Sequence, residues 1–300
     1  MRFIHKLLGK KRTFRLFMTL VVKNEEDILE QHIRFHHAMG VDGFIVSSHN
    51  STDRTDEILE SLKKEGLVKE IIKRTSVDHK HSVWVHEMIK IAKSKYHADW
   101  VINSDADEFY YSNKLDLKAS IQECEGANLI WVDSIFVFPE DRDDFLCSTY
   151  FVTRPFQHFE AVSLGIAQDP NYEDFIGSQG CTKVILRAKD VIRVTDGNHT
   201  AKMRWSVKTH SADIRLYHYH IRSYKGMEQK VKRWQSSVFE MPERMGEHMK
   251  RMVHLYQDGK LREEFEKKYG NNMRNFLIEN GVVTIDPSVR NFLIDRHIIQ

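Results

Sequence analysis

The 300-residue sequence predicts an α/β fold with a mainly parallel central sheet and a helical C-terminal region. Three observations predict it. Apolar segments of strand length alternate three times with amphipathic helical segments in the first third of the chain. Polar clusters follow the predicted strands at residues 23–26, 48–53 and 103–108, and the pattern from residue 224 onward is mostly helical. Parallel sheets bind ligands at the carboxyl ends of their strands, so these clusters predict a functional site.

The first strand–helix unit has clear boundaries. Residues 15–22 are β-rich, and the helix that follows ends at Gly40. Asn24 or Asp27 can cap the start of this helix, because both side chains accept hydrogen bonds from free backbone amides. Helical spacing predicts one buried face, made of Ile28, Leu29, His32, Ile33, His36 and Met39.

The later elements follow the same two periodicities. Strands are expected at residues 41–47, 67–73, 100–103, 129–138, 183–187, 191–195 and 215–219, and helices at 55–64, 82–95 and 117–124. A long polar stretch at 139–180 interrupts the pattern, and such insertions often carry function. We expect a basic tail at 1–13, one α/β domain at 14–224 and a helical region at 225–300.

Composition predicts a soluble globular protein, because 41% of the residues are hydrophobic and 29% are charged. No apolar run approaches the roughly 20 residues that a membrane-spanning helix needs. The start of the chain lacks the long apolar stretch of a secretory signal, which predicts a cytoplasmic protein. Cys124, Cys147 and Cys181 are widely spaced, so we expect reduced thiols rather than a disulfide framework or a zinc site.

The basic tail raises the possibility of membrane contact. Six of the 45 basic residues lie within the first 16 positions, where there is no acidic residue. Phe3, Ile4, Leu7 and Leu8 fall opposite these bases at helical spacing, which is typical of a short helix on an anionic membrane surface. The alternative is a solvated terminus. Bases confined to one tail, rather than spread over a domain, argue against nucleic-acid binding.

The strongest local signal for chemistry is the sequence Asp105-Ala106-Asp107-Glu108-Phe109, directly after an apolar strand. Two carboxylates two residues apart on a turn can face the same Mg²⁺ or Mn²⁺, and that cation can bridge a diphosphate. An Asp-x-Asp sequence alone is weak evidence, because surface turns often contain Asp. Its position after a parallel strand strengthens the interpretation.

Several short motifs, taken together, resemble the family 2 glycosyltransferases and their relatives in the family 92 group. They are residues 21–25, 50–55, 105–109, 183–187, His199 and 218–223. The resemblance covers roughly residues 14–235 and implies a GT-A fold for the domain at 14–224. It also implies a hexosyltransferase-type enzyme that uses a nucleotide-sugar donor, with UDP as the expected nucleotide.

The resemblance also implies roles for individual residues. Asn24 and Glu25 would line the nucleotide pocket, and Asp53 would contact the base or the ribose. Asp105 and Asp107 would hold Mn²⁺ or Mg²⁺, although Asp105 can instead touch the ribose. The remaining implied contacts are His218 and His199 to the metal, and Lys183 and Arg222 to the diphosphate.

An inverting glycosyltransferase needs a carboxylate that takes the proton of the attacking hydroxyl. Glu173 and Asp174, in the segment that matches no motif, are the leading candidates for this catalytic base. Asp133, Asp169 and Asp196 are the alternatives.

The expected role is the synthesis of cell-surface polysaccharide or lipopolysaccharide, with a glycan or lipid-linked acceptor. One alternative is a nucleotidyltransferase, although residues 23–26 are not the Gly-rich loop that such enzymes carry after the first strand. Another is an inactive module that binds sugar nucleotides or glycans. The intact carboxylates of Asp105 and Asp107 argue against that reading.

Overall fold

The computed structural model describes residues 14–75, 81–166, 182–235, 238–240 and 247–300. In these ranges the strands are β1 (Leu16–Val22), β2 (Gly43–His49), β3 (Val68–Arg74), β4 (Trp100–Ser104), β5 (Glu108–Ser112), β6 (Leu129–Val132), β7 (Ser134–Phe136), β8 (Tyr150–Val152), β9 (Lys183–Arg187), β10 (Val191–Val194), β11 (Ala201–Met203), β12 (Lys208–His210), β13 (Ile214–His218) and β14 (Val283–Ile285). The helices are α1 (Leu29–Ala38), α2 (Thr55–Lys64), α3 (His81–Tyr96), α4 (Leu117–Glu123), α5 (His158–Ser163), α6 (Tyr224–Trp234), α7 (Glu247–Gln257), α8 (Leu261–Tyr269), α9 (Asn271–Glu279) and α10 (Ser288–Asp295).

The predicted strands and helices are confirmed, with ends that differ by at most two residues, except that the strand expected at 129–138 divides into β6 and β7. The cap predicted for α1 is wrong. Ile28 precedes the helix and no side chain caps it. Asn24 and Asp27 bond elsewhere, because their loop contacts other parts of the chain.

The central sheet has the strand order β12-β6-β9-β4-β1-β2-β3, and within it only β9 runs antiparallel to its neighbours. Strand β1 is buried on both faces. Leu16, Met18 and Leu20 belong to the core that also contains Ile33 of α1, while Phe17 belongs to a second core with α3. Alternating side chains thus fill two layers, which explains the continuous apolar sequence of the strand. The predicted mainly parallel sheet is confirmed.

Strand order brings the three predicted polar clusters together. Strands β4, β1 and β2 are direct neighbours and run parallel, so their carboxyl ends meet at one edge of the sheet. The clusters at 23–26, 48–53 and 103–108 follow these three strands. This edge is called the carboxyl edge below.

A second sheet, with the order β5-β13-β7, lies next to the 105–108 turn. Strand β13 pairs antiparallel with β5, and His218 lies opposite Glu108 in this pairing. On its other side β13 runs parallel to β7, with His218 opposite Phe136. The pairing therefore delivers His218 to the end of the predicted aspartate motif.

The predicted helical C-terminal region is confirmed, and it packs against the rest of the chain. Helices α6, α7 and α8 share an apolar cluster that includes Val231, Val253 and Phe265. Helix α10 contributes Phe292 to the main core, and β14 pairs with β8. The predicted domain boundary between residues 224 and 225 stays a prediction.

The structure also bears on the predictions about membrane-spanning helices and cysteines. None of the described helices has the length and apolarity needed to cross a bilayer. Cys124 and Cys147 are free thiols. Cys181 and the tail at 1–13 lie outside the described residues.

Candidate active site

The loops after β1 and β2 are joined through Asn24. Its Oδ1 accepts a hydrogen bond from the backbone N–H of Thr52 at 2.7 Å, and its Nδ2 donates to Thr52 Oγ1 at 3.2 Å. Asn24 has a φ of 55°, a left-handed conformation that asparagine tolerates better than most residues. An asparagine at this position therefore fits both the backbone turn and the contact between loops.

Asp53 joins the same two loops from the other side. One carboxylate oxygen accepts from the backbone N–H of Thr55 at 3.0 Å, and the other accepts from that of Glu26 at 3.1 Å. Glu26 returns the contact by accepting from the backbone N–H of Arg54 at 3.0 Å. Two of the three residues predicted to contact the nucleotide, Asn24 and Asp53, thus also shape the loops that carry them.

Glu25 pairs with Arg222, a residue 197 positions later in the chain. The guanidinium lies 2.5 Å from Glu25 Oε2 and 2.5 Å from Asp27 Oδ1, and its side chain is only 15% exposed. Burial is the largest cause of a net rise in the pKa of Glu25; the Arg222 guanidinium opposes it, and the neighbouring carboxylates of Asp107 and Asp27 add to it. Burial lowers the pKa of Arg222, but Glu25 and Asp27 outweigh it and the net shift is upward. Arg222 is therefore a fixed positive charge at the carboxyl edge.

Lys183 approaches the aspartate motif from β9. Ile102 lies opposite Ile185, and the same register leads to Lys183 beside Ser104, the residue before Asp105. Lys183 Nζ lies 3.3 Å from Asp105 Oδ2 and 2.7 Å from the fully buried carboxylate of Glu108. Lys183 was expected to contact the diphosphate. Its ion pair with Glu108 was not predicted from the sequence.

The two charges of this ion pair respond differently to burial. Burial and the neighbouring Asp105 raise the pKa of Glu108 to about 7, although Lys183 acts in the opposite direction. Burial lowers the pKa of Lys183, but the carboxylates of Glu108 and Asp105 outweigh it, so the net shift is upward. Lys183 thus stays charged beside the motif.

Asp107 and His218 form the second pair at the motif. His218 Nε2 lies 3.5 Å from Asp107 Oδ1, and the backbone N–H of Tyr219 donates to the Asp107 carbonyl at 2.8 Å. Burial acts to raise the pKa of Asp107, but His218 and Arg222 outweigh it and hold that pKa well below its usual range. Burial lowers the pKa of His218, and Asp107 more than reverses this. Asp107 is therefore an ionised carboxylate beside a histidine ring whose protonated form it stabilises.

Two buried histidines near the motif are neutral, and of these His36 was predicted only as part of a buried helix face. His36 accepts from the backbone N–H of Tyr110 at its Nε2, at 2.9 Å, and its Nδ1 lies 2.8 Å from the His32 carbonyl oxygen. Burial lowers the pKa of His36 to about 3, so the ring is neutral and donates through Nδ1. Burial and the neighbouring His218 likewise lower the pKa of His220 to about 3.

Two carboxylates, a lysine and an arginine thus lie together at the carboxyl edge. The family model described as "Glycosyltransferase family 92" matches residues 19–265. The chain belongs to glycosyltransferase family 92. It is therefore a glycosyltransferase, and it has the mainly parallel α/β sheet expected from the sequence. The family supports neither of the alternatives, nucleotidyltransferase and inactive module.

Solved structures show more distant likenesses to this family 92 glycosyltransferase. TarS 1-349 from S. aureus is 10% identical, with a TM-score of 0.41 over 89% of this chain and 92% of that one. Its complex with UDP-GlcNAc is 11% identical, with a TM-score of 0.41 over 94% and 80%. Glucosyl-3-phosphoglycerate synthase from Mycobacterium tuberculosis, in complex with Mn²⁺, UDP and phosphoglyceric acid, is 16% identical, with a TM-score of 0.31 over 59% and 56%. No curated protein sequence matches this chain.

The remaining predicted residues of the family 92 enzyme make no described contact with the motif aspartates or lie outside the described residues. His199 Nδ1 lies 3.2 Å from the Thr182 carbonyl oxygen, and among the described contacts none joins His199 to the aspartates. Asp133, an alternative base, has a side chain that is 72% exposed. Glu173, Asp174 and Asp169, together with the side chain of Asp196, lie outside the described residues. The catalytic base stays a prediction.

The side chains of the motif include ligands that a divalent cation can use. Within the described ranges, no three Asp, Glu, His or Cys side chains are already grouped around a common point. Asp107 and His218, however, place a carboxylate oxygen and an imidazole nitrogen side by side, and Mn²⁺ accepts both kinds of ligand. Asp105 is 40% exposed and already has Lys183 as a counter-charge. The donor set fits a metal that is completed by oxygen atoms of a bound ligand.

Proposed function

We propose that this enzyme transfers a sugar from a nucleoside diphosphate sugar in a reaction that depends on Mn²⁺ or Mg²⁺. The observation that carries the proposal is the Asp107–His218 pair at the carboxyl edge. A low pKa keeps Asp107 ionised at all physiological pH values, as a ligand for a hard cation must be. The metal, when bound, would stabilise negative charge on the departing diphosphate.

The basic residues of the chain complement this charge. Lys183 and Arg222 are both buried and held by carboxylates, so their positions are fixed before any ligand binds. Fixed positive charges stabilise a leaving group without reorganisation during the reaction. We assign both residues to the diphosphate.

The nucleotide is assigned to the loops that Asn24 and Asp53 join. Asp53 already accepts two backbone hydrogen bonds, but a carboxylate has further lone pairs that can accept from ribose hydroxyls or a uracil imide. Glu25 lies between these loops and Arg222. Asp105, the more exposed motif aspartate, can serve either the metal or the ribose.

The identity of the nucleotide, the stereochemistry, the catalytic base and the acceptor are proposed from the sequence. We propose UDP as the nucleotide, inversion at the anomeric carbon and a base at Glu173 or Asp174. The acceptor would be a glycan or lipid-linked sugar used in cell-surface polysaccharide or lipopolysaccharide synthesis. The basic tail would hold the enzyme at the inner face of an anionic membrane, and nucleic acid is not a proposed partner.

Two measurements test the core of the proposal. Calorimetry of UDP binding with Mn²⁺, and then with EDTA, should show much weaker binding without the metal. Transfer or hydrolysis should be detected for at least one member of a panel of UDP-, GDP- and CDP-sugars, again only with metal. Equal UDP affinity in EDTA would remove the metal from the proposal, and an inert panel would remove the transfer reaction.

The proposed contact of the basic tail with an anionic membrane can be tested by deletion. Deletion of residues 2–12 should weaken co-sedimentation with phosphatidylserine-containing vesicles at low salt, because each base near an anionic leaflet contributes about 1 kcal/mol. Transfer to a soluble acceptor should not change. Unchanged sedimentation would show that the tail is only a solvated terminus.

A further inference from the structure

The two basic residues assigned to the diphosphate already have counter-charges inside the protein. Each of them contacts two carboxylates. These are Glu108 and Asp105 for Lys183, and Glu25 and Asp27 for Arg222. A carboxylate beside a cation cancels much of the attraction of that cation for another anion, because the two fields have opposite signs. A diphosphate at the carboxyl edge would therefore gain from a positive charge that no carboxylate holds.

Lys230 of α6 has such a charge, and the sequence motifs did not predict it. Its Nζ donates to the His220 carbonyl oxygen at 3.2 Å and lies 5.9 Å from the centroid of the Trp234 ring. Neither partner is a carboxylate, and within the described ranges this ammonium group forms no ion pair. An ammonium group has three N–H donors, so donors remain for a ligand.

Backbone contacts place this ammonium group beside the Asp107–His218 pair. The segment from His218 to His220 runs along Asp107, because the backbone N–H of Tyr219 donates to the Asp107 carbonyl oxygen at 2.8 Å. Lys230 bonds to the last residue of that segment. Burial acts to raise the pKa of Asp107, and Lys230 is among the basic groups that more than reverse this. A diphosphate held by a metal at Asp107 would lie in the field of the same positive charge.

Helix α6 holds Lys230 in this position before a ligand binds. Met227 and Val231 of the same helix are buried in the apolar cluster with α7 and α8. Ser223 caps the first turn by accepting from the backbone N–H of Gly226 at 3.2 Å. Lys230 itself is partly buried. A cation that is fixed in this way stabilises an anionic ligand without reorganisation.

We propose that Lys230 contacts the diphosphate of the donor and supplies a positive charge that no carboxylate holds, an assignment that rests on the proposed function. The alternative is a structural role, in which Lys230 only joins α6 to the His220 carbonyl. A structural role would act on folding stability, or on all nucleoside ligands alike. A contact with the diphosphate acts only on ligands that carry phosphate.

Binding of UDP and of uridine by the full chain separates the two roles. Calorimetry with Mn²⁺ measures UDP, and saturation-transfer NMR measures the weaker binding of uridine. The test variant Lys230→Met keeps the apolar stem and removes the charge, whereas Lys230→Arg keeps the charge. The matched control is Lys232→Met, which removes the same charge from an exposed position of α6 where Lys232 pairs with Glu228. Urea unfolding gives the stability of each chain.

Lys230→Met should raise the dissociation constant of UDP about tenfold, as for a lost hydrogen bond between charged groups, and leave that of uridine unchanged. Lys230→Arg should keep most of the UDP affinity, because arginine also binds phosphate. Lys232→Met should bind UDP as the wild type does. Unchanged UDP affinity in Lys230→Met would overturn the assignment, and so would an equal loss of UDP and uridine affinity.

A second variant covers the case in which Lys230→Met does not fold. Lys230→Gln keeps an N–H donor for the His220 carbonyl and carries no charge, so it should weaken UDP binding in the same way. Wild-type UDP affinity in Lys230→Gln would overturn the assignment while the proposed function stands. No UDP binding by the wild-type chain would overturn the proposed function and this assignment with it.

Discussion

The two loops at residues 23–27 and 48–56 and the aspartate turn at 105–108 occupy the same edge of one sheet, but their polar side chains are held differently. In the loops, the amide of Asn24 and the carboxylate of Asp53 bond to backbone N–H groups of the neighbouring loop. In the turn, Asp107 faces the side chain of a distant residue, His218.

This difference indicates which side chains shape the site and which can take part in its chemistry. A side chain bonded to backbone amides keeps its place whether or not a ligand is bound. A carboxylate paired with a side-chain charge can exchange that partner for a ligand. We therefore expect the loops to set the form of the nucleotide pocket and the turn to bind the metal and the diphosphate.

The largest effect is expected from Asp107→Asn. It removes the ionised carboxylate next to His218, so kcat should fall by about 1000-fold or more, which corresponds to about 4 kcal/mol of transition-state stabilisation. The matched change is Asp105→Asn, which alters a carboxylate that Lys183 already neutralises, and its effect should be smaller. Steady-state transfer rates at saturating Mn²⁺ measure both. Equal rates for Asp107→Asn and the wild type would contradict the assignment of the metal to the turn.

At about pH 8.5, where Glu108 is ionised in the wild type, Lys183→Met should strongly destabilise the fold, because it removes the counter-charge of this fully buried carboxylate. Breaking one side of a buried ion pair costs about 3–5 kcal/mol. Urea unfolding gives the free energy directly. Lys189→Met, an exposed change near the other end of β9, is the control and should stay within about 0.5 kcal/mol of the wild type. Similar values for both variants would show that Lys183 does not stabilise the turn.

The pH dependence of stability should report the neutral His36 below the turn. Burial lowers its pKa to about 3, whereas in the unfolded chain the pKa is about 6.5. Between these values the unfolded chain binds a proton that the folded chain does not, so the free energy of unfolding falls as pH falls. The contribution is about 2 kcal/mol between pH 6.5 and 5.

Urea unfolding at several pH values, with His36→Gln as the variant, isolates this contribution. Glutamine can replace the hydrogen bonds but does not titrate, so the variant should lose less stability than the wild type between pH 6.5 and 5. Identical slopes for the two chains would mean that His36 is not held neutral.

The smallest effect is expected from Asp53→Ala. It should raise the donor KM severalfold with little change in kcat, and lower stability by about 1 kcal/mol through the lost backbone contacts. Asp116→Ala removes a comparable contact, because Asp116 accepts from the backbone N–H of Lys118 at the start of α4, away from the carboxyl edge. That control should lose similar stability and keep its KM. A collapse of kcat in Asp53→Ala would instead place Asp53 in the chemical step.

Local periodicity predicted most of the fold. Thr55–Lys64 and Lys183–Arg187 were predicted with the bounds that the structure has, because amphipathic spacing and β-rich composition act over neighbouring residues. The cap of α1 was predicted wrongly, since Asn24 and Asp27 bond to other loops instead. A local pattern contains no information about such competing partners.

Local sequence patterns specify the alternation of strands and helices, the polar clusters at strand ends and the carboxylates of the motif. Which side chains those carboxylates face depends on how the chain folds. Lys183 arrives through the register of β9, the antiparallel strand of the central sheet. His218 arrives through the pairing of β13 with β5, and Arg222 pairs with Glu25 across 197 positions of chain. Pairing of distant strands depends on the packing of the whole sheet, and no short window of sequence contains it.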